Sequence, residues 1–327
     1  MDLVETAAYG NNTPAWHGKG LVFDGFATTE EILQRASLDW LVEKQPIFLA
    51  NGNQVNGRFA IVRQTDQKAF GIVKGRYAPI QNRQAFEFVD FLLAEKTAKW
   101  ETAMSLRGGE QVVGLLKLTE SGVQIRKGDT HYHYLTIVTT HDGSGAARVF
   151  PTDVRVVCAN TLALATSQKD SALTVNVRHT GNILDKAEAA VSVLAQASDE
   201  FKAHEEWMRS LLELPLTTRK FNDVASILFP EGEDETALVK ANREGRILSL
   251  AEAVREEIVL LPQFSATTLA TNPTAYELFN GVTRYIDHTV GNTKKANRFE
   301  YAVLKGGSDI KQKAIAAINT VFAPAVA

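Results

Sequence analysis

The chain predicts an α+β protein: an N-terminal antiparallel sheet with helices, followed by a helical C-terminal region. Three observations carry that expectation. Before about residue 180, short runs rich in Val, Ile, Phe and Thr alternate with Gly and Asn punctuation. Several of these runs are adjacent hairpins with few helices between them, which favours an antiparallel arrangement over a doubly wound sheet. Beyond Gly181 the apolar residues recur at alternating spacings of four and three, the period of a helix. The change of pattern predicts two regions, a sheet-rich domain over residues 1–180 and a helical one over 181–327 that either packs on it or mediates self-association.

The elements follow in order. A first helix is expected from about Glu30 to Leu38, with Thr28 and Glu31 spaced as a capping box. Strands are expected over Pro46 to Ala50, Arg58 to Gln64 and Ala69 to Lys74, the first followed by the turn pair Asn51 and Gly52. A helix from about Gln84 to Lys96 takes Asn82 as its cap, and strands return at Lys99 to Leu106 and Gln111 to Leu118. The segment from His131 to Leu162 reads as a strand (Tyr132 to Thr140), a polar turn (Asp142 to Gly145), a second strand up to Val157 and a helix opening near Asn160. From Ile183 to Leu211 a narrow apolar seam marks a helix of about eight turns. Ile247, Ala251, Val254, Ile258 and Leu261 repeat the spacing on a second helix, so the two either pair antiparallel within the chain or mediate self-association. The acidic run from Glu231 to Glu235, after Pro230, reads as a solvated connection. Helices from about Ala275 to His288 and from about Asp309 to Phe322 complete the chain, the latter with Ser308 as its cap.

Composition narrows the function classes. With 327 residues, 45% hydrophobic and 22% charged, the chain has the balance of an ordinary soluble globular protein with ample core. One cysteine, Cys158, excludes an intramolecular disulfide and fits a reducing cytoplasm. Asp2 and Glu5 precede any positive side chain, unlike a secretory signal, and no window approaches the roughly 18 apolar residues of a membrane span. A net charge of −3 argues against a generically basic nucleic-acid binder. Yet Arg58, Arg63, Lys68, Lys74, Arg76 and Arg83 face only Asp66 within their stretch, and a second basic excess lies between Arg284 and Lys313. Such patches either track a phosphate backbone or are solvated faces.

Reactive side chains concentrate around the predicted hairpin. His131 and His133 lie two apart and so share one face of a strand, the geometry by which a strand offers two imidazoles to a metal. The bland alternative turns them outward and puts Tyr132 and Tyr134 in the core. With His141, Asp142, Cys158 and His179 they suggest either a metal site or a thiol nucleophile at Cys158 with His141 or His179 as base. No Cys-x-x-Cys, His-Glu-x-x-His or phosphate-loop pattern accompanies them. No cofactor is expected.

Several motifs together carry a resemblance. PAWHGKG (Pro14 to Gly20), YAPIQNRQAFEF (Tyr77 to Phe88), SLRGGEQV (Ser105 to Val112), HDGSGAARV (His141 to Val149), RVVCANTL (Arg155 to Leu162), RHTGN (Arg178 to Asn182), TAYELFNGVTRYIDH and KGGSDIKQKA are similar to the phage/plasmid-like protein family that carries the domain of unknown function 932. The first motif departs from the family's usual form at Ala15 and Lys19. The resemblance runs nearly end to end and implies a phage or plasmid context, with no established activity and no catalytic residues to carry over. In layout the family also resembles ring-forming single-strand annealing proteins of recombination.

That second likeness implies a nonenzymatic protein of the host-cell cytoplasm that binds single-stranded DNA and assembles as a homo-oligomer, in one form a ring. Annealing requires phosphates to be gripped while bases stay free to pair, so cations on strands suffice. Arg58, Arg63, Lys74, Arg76, Arg83 and Arg107 are the candidate phosphate contacts, with Tyr77 as a candidate base-stacking ring and Arg148 and Arg155 either lining the same sheet or pairing with Asp142 and Asp153. Two other classes stay open: a protein-binding inhibitor of a host defence factor, and a metal-dependent enzyme built on His131, His133, His141, Cys158 and His179.

Overall fold

The computed structural model describes residues 4–9, 21–22, 27–94, 96–118, 122–145, 147–155, 160–163, 175–177, 183–233, 235–260, 272–290, 301 and 306–323. The chain is α+β, with antiparallel sheets in its N-terminal part and helices after them. It divides into two compact units whose bounds interleave along the chain. The first comprises Met1–Ser121, His133–Thr152 and Lys169–Ser198; the second comprises Gly122–Tyr132, Asp153–Gln168 and Asp199–Ala327. The expected boundary near residue 180 lies outside the described residues.

The first unit holds strands β1 (Val4–Tyr9), β2 (Leu21–Val22), β3 (Val42–Phe48), β4 (Gln54–Arg63), β5 (Ala69–Lys74), β6 (Ala98–Leu106) and β7 (Gln111–Leu118). It also holds β9 (Asp129–Thr140) from His133 onward, most of β10 (Ala147–Arg155), and β12 (Val175–Val177). The larger sheet runs β10, β9, β7, β6, β1, β2, with β12 against β10. β1 with β6, β6 with β7, β7 with β9 and β10 with β12 are antiparallel pairs, and β1 pairs with β2 in parallel. β7 is buried over Gln111–Leu116, as befits a strand flanked by neighbours on both edges. Helices α1 (Thr29–Arg35), α2 (Asn82–Phe86) and α3 (Asp90–Ala94) pack with it, burying Ile32, Leu33, Phe86 and Leu92. The capping box of α1 forms as expected: Glu31 N–H donates to Thr28 Oγ1 at 3.2 Å, and Thr28 N–H donates to the Glu31 carboxylate at 2.8 Å. α2 departs from expectation, because its cap is Gln81 and Asn82 is its first, buried residue. A separate antiparallel sheet, β3–β4–β5, completes the unit.

The second unit is built on α4 (Ile183–Leu211) from Asp199 onward, α5 (Thr218–Leu228), α6 (Ala237–Val259), α7 (Ala275–Arg284) and α8 (Gly306–Phe322), together with the hairpin of β8 (Val123–Arg126) and the start of β9. β11 (Asn160–Ala163) stands where a helix opening was expected: Asn160, which reads equally as a cap or a turn residue, begins a short strand. Ser308 does not cap α8 but lies within it, buried, since the helix begins at Gly306. The acidic segment is not merely solvated, because Arg243 bonds Glu231 at 2.7 Å and Glu235 at 3.1 Å. The seam of α4 is buried at Phe201, His204, Met208 and Leu211. α6 buries Leu250, Ala253 and Val254 and lies along α7. Gly281 permits this contact: a Cβ there would lie 2.4 Å from Val254 Cγ2 and 2.7 Å from Val254 Cα. α7 runs into a π-helical turn, Tyr285–Val290, whose buried Asp287 accepts a hydrogen bond from the buried Lys311 ammonium of α8. Burial holds the Lys311 pKa below the ordinary lysine value, against the pull of Asp287. No helix among the described residues is long and apolar enough to cross a membrane.

Candidate nucleic-acid interface

The small sheet gathers the cations that the sequence singled out. Antiparallel pairing places Arg58 of β4 directly opposite Lys74 of β5, both exposed. Like charges opposite one another on a sheet cost stability, so the pair concentrates positive potential without an internal reward. Two residues along each strand, on the same face, Ala60 stands opposite Ile72, which is 65% exposed. Phe48, 57% exposed, ends β3 and pairs with Gln54. Arg76 is exposed just beyond β5, where the Tyr77 N–H donates to Lys74 O at 3.0 Å. Tyr77 itself is half-buried, and burial together with the Asp142 carboxylate pushes its phenol up from the ordinary tyrosine value. Lys44 of β3 donates to Gly75 O at 2.7 Å and lies 5.0 Å from the centre of the Phe59 ring.

The remaining cations lie apart from this group, Arg63 on the inner side of the same sheet and the others on other elements. Arg63 is 7% exposed; it lies 5.3 Å from the Trp40 ring and 5.5 Å from the Phe70 ring and binds both oxygens of Asp66, at 2.9 and 2.6 Å. That two-pronged bond draws the Asp66 carboxyl down to about 2. Arg63 thus serves the inside of the sheet. Arg83 is exposed on α2 and pairs with Glu30 and Glu87. Arg107 is half-buried in the turn between β6 and β7 at a positive φ of 53°, where Lys68 donates to Gly108 O at 2.8 Å. Arg148 is half-buried on β10, and desolvation draws its guanidinium pKa down. Arg155 ends β10, and its side chain lies outside those described. Of the nine residues singled out, Arg58, Lys74, Arg76 and Tyr77 therefore come together where the end of β5 pairs with the middle of β4.

The histidines face inward, opposite to the reading that kept Tyr132 and Tyr134 in the core; Tyr134 is buried as well, but Tyr132 is only half-buried. In the second unit the His131 ring spans two partners, Asp153 Oδ2 at 2.6 Å from Nδ1 and the Tyr276 hydroxyl at 3.0 Å from Nε2. Tyr276 also donates to Asp129 at 3.1 Å. Arg126 reaches Asp129 at 3.3 Å and Glu277 at 2.6 Å and lies over the Tyr276 ring, while Glu277 closes the capping box at Thr274. In the first unit His141 packs against Trp40 and Phe70 and bonds Asn82 Oδ1 at 2.8 Å. Because the Asn82 amide donates to Leu38 O, its oxygen accepts, and His141 carries its proton on Nε2. Among the described residues no three His, Cys, Asp or Glu side chains gather as metal ligands. Cys158 and His179 lie outside the described residues.

Sequence reasoning missed Arg126, Asp129, Tyr276 and Glu277, and it named Asp153 only as an ion-pair partner for the arginines of β10, where the structure gives it His131. The only local signal was the Thr274 and Glu277 spacing of a capping box; nothing local joins Tyr276 to a histidine 145 residues earlier. No curated protein and no solved structure matches the chain. A family profile, described as a domain of unknown function (DUF932), matches residues 69–304, over two thirds of the chain. The chain belongs to the family defined by this domain of unknown function.

Proposed function

We propose that this chain is a nonenzymatic protein of a phage or plasmid that binds and anneals single-stranded DNA during recombination, working as a homo-oligomer. The observation that carries the reading is the opposed pair Arg58 and Lys74 on an exposed sheet face, with Arg76 beside it. A polyanion relieves their mutual repulsion, and exposed Phe48 and Ile72 on the same small sheet offer surfaces on which bases stack or rest. No nucleophile or metal is required for this work. The test is fluorescence anisotropy of a labelled single-stranded oligonucleotide at several salt concentrations, with duplex as competitor. Salt-steep binding that prefers single strands is expected. Arg58→Glu with Lys74→Glu should lower the slope of log affinity against log salt by at least about 1.4, since each phosphate contact to a single strand contributes about 0.7. Binding absent even at low salt, or unchanged by both reversals, overturns the reading.

A second reading rests on the same sheet. Leu41, Phe48, Leu49 and Ile72 are exposed large hydrophobic residues of β3, β5 and their flanks, an unusual concentration for a small sheet. They suit a protein partner, such as a host defence factor inhibited by a mobile element. That reading predicts tight binding that is insensitive to salt and is lost with Phe48→Asp and Ile72→Asp.

A further inference from the structure

α6 carries a second apolar line, on the side away from its contact with α7. Leu238, Ala241, Gly245 and Leu248 are exposed at spacings of three, four and three, and the line continues through Glu252 and Arg255 to Val259. Leu238 is 72% exposed, Leu248 71% and Val259 69%. None of them serves the core of the second unit, which takes Leu250, Ala253 and Val254 from the opposite side. The alternation of three and four is the seam by which one helix packs along another.

The seam is nearly symmetrical about its middle. Leu238 lies ten residues before Leu248 and Val259 eleven after it. When two such helices run antiparallel about a two-fold axis at Leu248, Leu238 of one meets Val259 of the other and the two Leu248 side chains meet at the axis. Gly245 and Ala241 then face Glu252 and Arg255 of the second copy, and their small size admits the aliphatic stems of these longer side chains. Charge fits as well. Glu244 and Arg255 are eleven residues apart, about three turns, so they share one flank of the helix. A two-fold axis brings like flanks together in opposite directions, so Glu244 of each copy comes within about three residues' rise, roughly 4.5 Å along the axis, of Arg255 of the other. Arg255 is exposed and bonds only Glu252 among the described residues, at 2.8 Å, while Glu244 makes no ion pair among them.

We propose that α6 is a homodimerisation helix, and that two copies of this chain pair through it antiparallel about a two-fold axis at Leu248. The contact is isologous, so it closes at two copies; a ring requires a different, heterologous surface. It stands apart from the nucleic-acid reading and survives that reading's failure. With two polar positions in the seam and one helix per copy, the contact belongs to the small, reversible class, and dissociation is expected in the micromolar range.

The test is sedimentation velocity of the full chain over that range. A monomer–dimer equilibrium is expected, weakened at least tenfold by Leu248→Glu, whose exposed position leaves the fold and its circular dichroism intact. Glu244→Arg should weaken it and the exchange Glu244→Arg with Arg255→Glu should restore it. Under mild oxidation Leu248→Cys should give a disulfide-linked dimer and Leu238→Cys none, with the wild-type chain controlling for Cys158. A chain that stays monomeric throughout, a dimer indifferent to Leu248→Glu, or linkage at Leu238→Cys instead of Leu248→Cys overturns the proposal.

Discussion

Replacing Gly281 by alanine decides whether the contact of α6 with α7 is as close as described. On helix propensity alone the change should stabilise α7 by roughly 1 kcal/mol. The structure predicts the opposite sign. The added methyl would sit 2.7 Å from Val254 Cα and 2.9 Å from its N, as well as 2.4 Å from Cγ2. Carbon atoms pack best at about 3.5–4.0 Å, so the helices must part by about 1 Å or distort. Val254 can rotate its methyl away, but not its own backbone. Overpacking costs about 1–3 kcal/mol, and contact with backbone puts this site at the upper end, leaving a net loss of about 2 kcal/mol after the propensity gain. Urea denaturation followed by helical circular dichroism should show a lower midpoint with an unchanged slope. Adding Val254→Ala should recover only part of the loss, because it removes Cγ2 and leaves Cα and N in place. A midpoint that rises or stays put in Gly281→Ala would refute the reasoning and would mean that α6 and α7 stand further apart.

Four further outcomes are expected. Thr28→Ala should cost about 1 kcal/mol in the same denaturation assay by removing the cap of α1. Tyr276→Phe, which deletes the hydroxyl shared by His131 and Asp129, should cost about 1–3 kcal/mol with little change in shape. Lys311→Met should cost about 3–5 kcal/mol by taking the cation from buried Asp287, and Lys311→Met with Asp287→Leu should return most of it, as a double-mutant cycle would show. The Asp66 carboxyl, at about 2 in the fold against an ordinary 3.8, contributes stability that is present above about pH 4 and lost as pH falls toward 2. Acid titration of the unfolding midpoint should therefore show a shallower fall between those values for Asp66→Asn.

Local signals were legible wherever a residue's neighbours in sequence are its neighbours in space. The bounds of β5, of β7 and of the long helix α4 follow from period and punctuation alone, and the cap of α1 from two residues three apart. Asn82 misled because its side chain is engaged by His141 and Leu38, 59 and 44 residues away, leaving Gln81 in the cap position and Asn82 as the first residue of the helix. Ser308 misled because the preceding glycines join the helix. Arg63 read as one cation among six, since nothing in a strand pattern says which face holds Trp40 and Phe70. For the candidate interface, the pairing of Arg58 with Lys74 was implicit in the hairpin spacing, while the exposure of Ile72 depends on which face the rest of the unit covers.

The π-helical turn at Tyr285–Val290 has a bearing on how this segment tolerates length changes. Such a turn accommodates one residue more than an α-helix does over the same rise, so it has the form of a single-residue insertion absorbed without loss of the helix. The residues before it keep their facing: Tyr276 still meets His131 and Gly281 still lies under Val254. Asp287, inside the turn, is wound differently from a residue of an uninterrupted α-helix, and in that position it meets Lys311. Deleting one residue here would restore regular winding yet swing either Asp287 away from Lys311 or the front of α7 away from α6. The segment is thus a phase adjuster, letting one helix satisfy two sets of neighbours that no single helical register could reach.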